Sequence, residues 1–394
     1  MFRIYWDINS LLLYLFEAFV GLLCFWQACR ANNGRTVKIK YNQIYLLFSV
    51  TYYMIWLFFA VFREVSDGRG GADAIDYVDF FRGCWGSMDD HMEHTGSDVL
   101  FLFFNRFIRY LTSNYHVFFF LAYGFISYSF LKFIKKFGNS FINVVPLFLV
   151  FYLYLRGYNT LRSHLCISII LLGIIALLDG KNKKAYLLMI CAPLIHKMGI
   201  LYALVIPFVH YSLKKGIKIK YLIFIVAFAS VIGVFIRDYF ILFAYFYDLG
   251  GAYGSYANEA KEANNLLAGA TECIFQYLLL VVLILFNKTI KTNLNQLPQH
   301  IRKSMEIVKY VCYFDFALIP LNVLFGIWRG LEFFYIPRLM MWGFVIFCFA
   351  KKFNIKSTFF VNSIVFIVVV AWMVFRISRI YEGAALMPYS LKMF

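Results

Sequence analysis

The chain has 394 residues, 62% of them hydrophobic and 21% aromatic, with a formal net charge of +17. A soluble globular domain is excluded, because so much apolar side-chain surface could not be kept away from water. Nucleic acid is excluded as the reason for the charge: Lys and Arg lie in short loops between apolar runs, where they set membrane orientation and meet anionic headgroups.

Taken in chain order, the apolar runs predict spans near 8–28, 43–62, 115–134, 141–155, 163–179, 221–237, 273–287, 308–325, 338–350 and 357–375. At ~20 residues per span the length accommodates about ten to twelve. The expected fold is all-α: a polytopic integral membrane helical bundle, read as a single transmembrane domain over 1–394. Asp7 and Glu17 interrupt the first run and no small-residue cleavage site follows, so it is expected to stay as a span rather than act as a signal peptide. The eight cysteines are scattered without a Cys-x-x-Cys pair, which indicates neither a disulfide framework nor a zinc site. The stretch 99–111, with Arg106 and Arg109, is too short and too charged to span. It reads as an amphipathic helix in the interface.

Alternate loops are basic: 30–42, 132–140, 179–185, 211–221, 287–309 and 351–356 hold more than half of the Lys and Arg, and only Asp179 and Glu306 among the acids. These loops are expected in the cytoplasm. The N-terminus, the segments 63–114 and 237–272, and the C-terminal tail then face outward. Parity adds a constraint. The loops 179–185 and 211–221 are both cytoplasmic by charge, so the chain between them crosses an even number of times. It is too short for two full spans, and Pro193, Lys197 and Gly199 interrupt its middle. A hairpin or re-entrant pair over 185–213 follows, with His196-Lys197 at its apex beside a wet cavity. The alternative is one kinked span with a neighbouring loop of the wrong sign.

The outward segments carry the residues able to do chemistry. Arg69-Gly-Gly71-Ala-Asp73-Ala-Ile-Asp76-Tyr77 reads as a turn entering a helix with carboxylates on one face. Such a carboxylate orients a sugar hydroxyl or serves as a general base; the plain alternative is a solvated acidic loop. Asp89-Asp90-His91-Met92-Glu93-His94 has the spacing of a weak divalent-ion site and equally that of a hydrophilic loop; no metal and no cofactor is expected. The turn from Arg156 to His164 places Arg162 and His164 where a span opens. A guanidinium there matches phosphate oxygens, or snorkels to the interface. Arg329, Arg338, Arg376 and Arg379 add further outward cations, against the positive-inside trend. A polyanionic ligand such as a lipid-linked pyrophosphate explains that excess; so do Arg–Glu pairs at the rim. Tyr253 belongs to a run of tyrosines and glycines over 239–256, either a sugar-stacking flap or part of the interfacial aromatic belt. His196, beside Lys197, can take a proton from a hydroxyl or simply pack.

The order Gly71-x-Asp73-x-x-x-Tyr77-x-x-x-Phe81, then Arg162 opening a span, then His196, then Pro388-Tyr389 near the end resembles the EpsG-like branch of Wzy-type polysaccharide polymerases. Where that family often has Gln after the arginine and a small residue after the histidine, this chain has Ser163 and Lys197. The resemblance implies a membrane glycosyltransferase of GT-C type in the bacterial cytoplasmic membrane, with an outward-facing site. It would join undecaprenyl-pyrophosphate-linked oligosaccharide units into a surface polysaccharide (O-antigen, capsule or exopolysaccharide). Its partners would be the lipid-linked donor and acceptor, the bilayer and a chain-length regulator protein. In that scheme Arg162 and Arg338 hold the donor pyrophosphate, and Asp76 or His196 acts on the acceptor hydroxyl. Asp73 and Tyr77 shape the sugar pocket. Arg156, His164, Lys197, Arg329, Arg376, Arg379 and Tyr253 are further substrate contacts. A flippase for the same lipids, an O-antigen ligase and a membrane acyltransferase are the competing readings.

Overall fold

The computed structural model describes residues 8–16, 19–20, 39–66, 70–71, 73–86, 98–138, 155–218, 220–232, 273–324 and 328–353, together with 367, 371 and 374. Among these residues the secondary structure is helical, with no strand. The helices are α1 (Ile39–Phe62), α2 (Ala74–Gly83), α3 (Val99–Leu111), α4 (Tyr115–Gly138), α5 (Leu161–Leu178), α6 (Asn182–Ile195), α7 (Gly199–Ala203) and α8 (Val205–Lys215). They continue with α9 (Lys220–Ile232), α10 (Ile274–Leu285), α11 (Asn287–Asn295), α12 (Gln299–Leu324), a 3-10 turn (Trp328–Glu332) and α13 (Tyr335–Lys352).

Among the described residues two helices, Tyr115–Ile134 of α4 and α5, are each long and apolar enough to cross a bilayer, and the pair α10–α11, bent by 78°, is a third if counted as one span. That makes the chain an all-α membrane protein. Of the expected spans, 141–155 and 357–375 lie almost wholly outside the described residues. Helix α3 forms where an interfacial helix was expected. Phe103, Phe107, Tyr110 and Leu111 are exposed along one stripe, while Phe101, Leu102, Asn105 and Ile108 are buried on the other.

The chain divides into two compact units: 1–85 with 104–168 and 353–394, and 86–103 with 169–352. The division falls inside α3 and α5 rather than in a loop. In the first unit α1 and α4 run antiparallel. His116 Nδ1 is 2.8 Å from the Val61 carbonyl, and the Tyr53 hydroxyl donates to the Gly124 carbonyl at 3.1 Å. Gly124 permits that approach, since a Cβ there would lie 2.9 Å from the Tyr53 oxygen. Helix α2 packs on α4 through stacked Phe81 and Phe118 rings. Lys132 and Lys136 sit at the far end of α4.

In the second unit α6 and α8 form two antiparallel arms, tied by the Tyr186 hydroxyl and His210 Nδ1 at 2.8 Å. The break between them is His196-Lys197-Met198. Pro193 removes one amide donor from the last turn of α6, and His196 is extended at φ −155°. Helices α12 and α13 pack together and α8 meets α12 through Phe208 and Phe314. The basic loops of this unit gather at one end. Lys303 donates to the Leu178 carbonyl, Lys351 to Gln296 Oε1, and Lys352 lies over the Phe286 ring. The break at His196 lies at the other end of α6.

Candidate active site

In the first unit the motif around Gly71 is built on a buried arginine. Arg63 follows α1 directly and has no exposure. Its Nε donates to the Gly70 carbonyl at 2.7 Å, Nη1 to the Ala60 carbonyl and Nη2 to the Tyr123 hydroxyl at 2.7 Å. The rings of Phe119, Tyr123 and Tyr158 surround the guanidinium at 4.5–4.9 Å. This cage holds the chain as it reverses through Gly70 and Gly71. Both have positive φ, 77° and 113°. A Cβ on Gly71 would lie 2.5 Å from the Tyr158 carbonyl oxygen, so only glycine lets this turn lie against the turn at Tyr158.

The two turns are joined further by Asn159, whose Oδ1 accepts from the Asp73 amide at 2.8 Å. Asp73 then stands at the N-cap position of α2, without a side-chain capping bond, and the helix places Asp76 one turn on. Asp76 is exposed and Tyr77 buried. Arg162, in the first turn of α5, sets its guanidinium 6.0 Å from the centre of the Tyr77 ring. Partial desolvation, reinforced by the Asp73 and Asp79 carboxylates, holds Asp76 above the usual carboxylate range; Arg162 acts in the opposite direction. Asp73, Asp76, Tyr77 and Arg162 therefore form one group at the end of the unit away from Lys132 and Lys136. Arg156 is half-buried in the adjoining turn, its carbonyl accepting from the Thr160 amide and hydroxyl. His164 is fully buried, with Nδ1 3.0 Å from the Thr160 hydroxyl and 3.1 Å from its carbonyl.

The second unit carries His196, Lys197 and Arg338. His196 is 9% exposed, and its Nδ1 is 3.7 Å from Asp98 Oδ2. The Lys197 amide donates to Asp98 Oδ1 at 3.1 Å. Arg338 is also buried. Its Nε is 3.2 Å from Asp315 Oδ2, one Nη donates to the Leu331 carbonyl, and Gln276 Nε2 donates to Asp315 Oδ1 at 2.9 Å. Arg338 thus braces the 3-10 turn on which Arg329 stands. Arg376, Arg379 and Tyr253, and the acid–histidine run Asp89–His94, lie outside the described residues. No group of three or more metal-ligating side chains occurs among the described residues.

A model of one protein family matches residues 45–391, nearly the whole chain. The chain belongs to the EpsG family. It is a family of Wzy-type, polysaccharide-polymerase-like membrane proteins. No curated protein and no solved structure matches the chain. Within this EpsG-family protein, sequence reasoning passed over four residues that organise the candidate site: Arg63, Asn159, Asp98 and Asp315. Arg63 leaves a weak signal, a lone cation ending an apolar run just before two glycines. Asp98 stands immediately before an apolar run, the position of a helix cap. Asn159 and Asp315 leave none, since only long-range packing gives them partners.

Proposed function

We propose that this EpsG-family chain is a GT-C-type polymerase. It joins undecaprenyl-pyrophosphate-linked oligosaccharide units into a surface polysaccharide on the outer side of the cytoplasmic membrane. The observation that carries the reading is the group Asp73–Asp76–Tyr77–Arg162. A guanidinium, two carboxylates and a phenol are held by interlocked turns at the end of their unit opposite its lysines. Orientation by the basic loops puts that end outside.

The chemistry needs three things. Negative charge must be stabilised as the donor's anomeric carbon parts from its pyrophosphate. Arg162, a planar fork of donors, supplies this. A proton must leave the acceptor hydroxyl as its oxygen bonds that carbon. Asp76 or His196 takes it. The electron pair of the broken bond departs with the pyrophosphate, so no nucleotide sugar or external energy source is required. The sugar needs a wall, and Asp73, Tyr77 and Arg156 provide one, with Lys197 following His196 and His164 two residues after Arg162. Arg338 serves through its pair with Asp315, which holds the turn bearing Arg329. Arg329, Arg376, Arg379 and Tyr253 complete the list of substrate contacts.

The test is reconstitution of the purified full chain in liposomes with lipid-linked repeat units. Longer lipid-linked glycans are expected, and their loss in Arg162→Ala at unchanged protein level. Units that cross the bilayer without lengthening would instead establish a flippase.

A further inference from the structure

Asp98 carries both of its oxygens to one turn. Oδ1 accepts the Lys197 amide at 3.1 Å, and Oδ2 stands 3.7 Å from His196 Nδ1. The carboxylate is 3% exposed and the imidazole 9%. Asp98 itself is anchored by α3, since the Leu102 amide donates to its carbonyl at 3.0 Å. The break after α6 is therefore held from outside its own hairpin, by a residue almost a hundred positions earlier. The contact to Lys197 uses the main chain and tolerates any side chain there.

We propose that Asp98 is a positioning residue. At 3.7 Å, in ion-pair rather than hydrogen-bond range, its carboxylate favours by charge the tautomer of His196 with its hydrogen on Nδ1, so that Nε2 accepts the proton of the sugar hydroxyl. The inference rests on the polymerase reading and selects between its two candidate bases. In the step, the hydroxyl proton passes to Nε2 and its oxygen bonds the anomeric carbon. The anomeric carbon–oxygen bond to pyrophosphate breaks, with its electron pair leaving on the pyrophosphate. The imidazolium then releases its proton to water. The Asp98 carboxylate stabilises the imidazolium and favours its tautomer. In metal sites, carboxylates that orient a histidine ligand typically matter about 10–100-fold, which sets the scale here.

Two readouts on the full chain test this. Asp98→Asn keeps the shape and an acceptor for the Lys197 amide, but sets an amide group against Nδ1. In liposomes it should lower kcat by about 100-fold with KM within about twofold, and Asp98→Glu should recover part of the loss. Nitrogen-15 spectra of labelled histidine in micelles should show His196 protonated on Nδ1 in the wild type and shifted to Nε2 in Asp98→Asn. A wild-type ring protonated on Nε2 overturns the proposal even if the variant fails to fold. Unchanged turnover in Asp98→Asn, or lost turnover with an unchanged tautomer, overturns it as well. A wild type that makes no polymer but shows the expected tautomers removes the polymerase reading and leaves the Asp98–His196 pair standing.

Discussion

At the scale of single residues, the candidate site depends on groups with opposite demands. Gly71 is needed for what it lacks, since any Cβ would strike the Tyr158 carbonyl. Arg63 is needed for its breadth: one planar cation serves three carbonyls and a hydroxyl while lying within three aromatic rings. Lysine would supply the charge without the fork. Asp76 shows how charge placement becomes function. Its carboxyl is held above the usual range, first by desolvation and then by Asp73 and Asp79. If Asp76 acts as carboxylate, turnover falls as pH drops through that raised value. Asp79 lies on the surface beside Arg82 at 3.5 Å and outside the proposed pocket. Asp79→Asn removes one raising influence on Asp76 alone, so with His196 as the base the acid limb of the pH–rate profile should stay in place. A limb that moves to lower pH would make Asp76 the base in place of His196.

At the scale of elements, buried polar pairs decide where helices end and how they meet. The Asp315–Arg338 pair fastens the middle of α12 to the start of α13, with Gln276 of α10 completing the carboxylate's shell. Removing one member leaves the other charge buried. Asp315→Asn should therefore cost about 3–5 kcal/mol, read as a lower thermal midpoint in detergent. The double change Asp315→Leu with Arg338→Met should regain most of that loss, because paired apolar groups of similar size avoid the desolvation penalty. Equal destabilisation by the single and double variants would show that the pair does not act as a unit. The interruption between α6 and α7 was legible from Pro193, Lys197 and Gly199. The residue that braces it, Asp98, was not, because a caps-and-breakers reading sees only neighbours in sequence.

At the scale of the whole molecule, charge sorting gives each unit two unlike ends. In one, Lys132 and Lys136 lie far from Asp76 and Arg162; in the other, the lysine loops gather at one end of α6 and His196 lies at the other. Orientation by positive loops then predicts which reagent reaches which end. With the eight native cysteines replaced, Lys197→Cys should react with an impermeant thiol reagent added outside intact cells, and Lys183→Cys only after the cells are opened. The reverse pattern would turn the assignment inside out and remove the outward-facing site with it.

Composition and the spacing of charges by themselves determined that this is a helical membrane protein, and the order of its motifs determined which family it follows. Those properties depend on the free energy of transferring each segment into lipid, which is summed along the chain and so can be read along it. Tertiary structure alone decided that Arg63 cages the Gly70-Gly71 turn, that Asn159 locks that turn to the start of α5, and that Asp98 and Asp315 claim His196 and Arg338. A buried polar group must find its partner wherever the packing brings one, and residues 98 and 196, or 276 and 315, become neighbours only when helices far apart in sequence fold against each other.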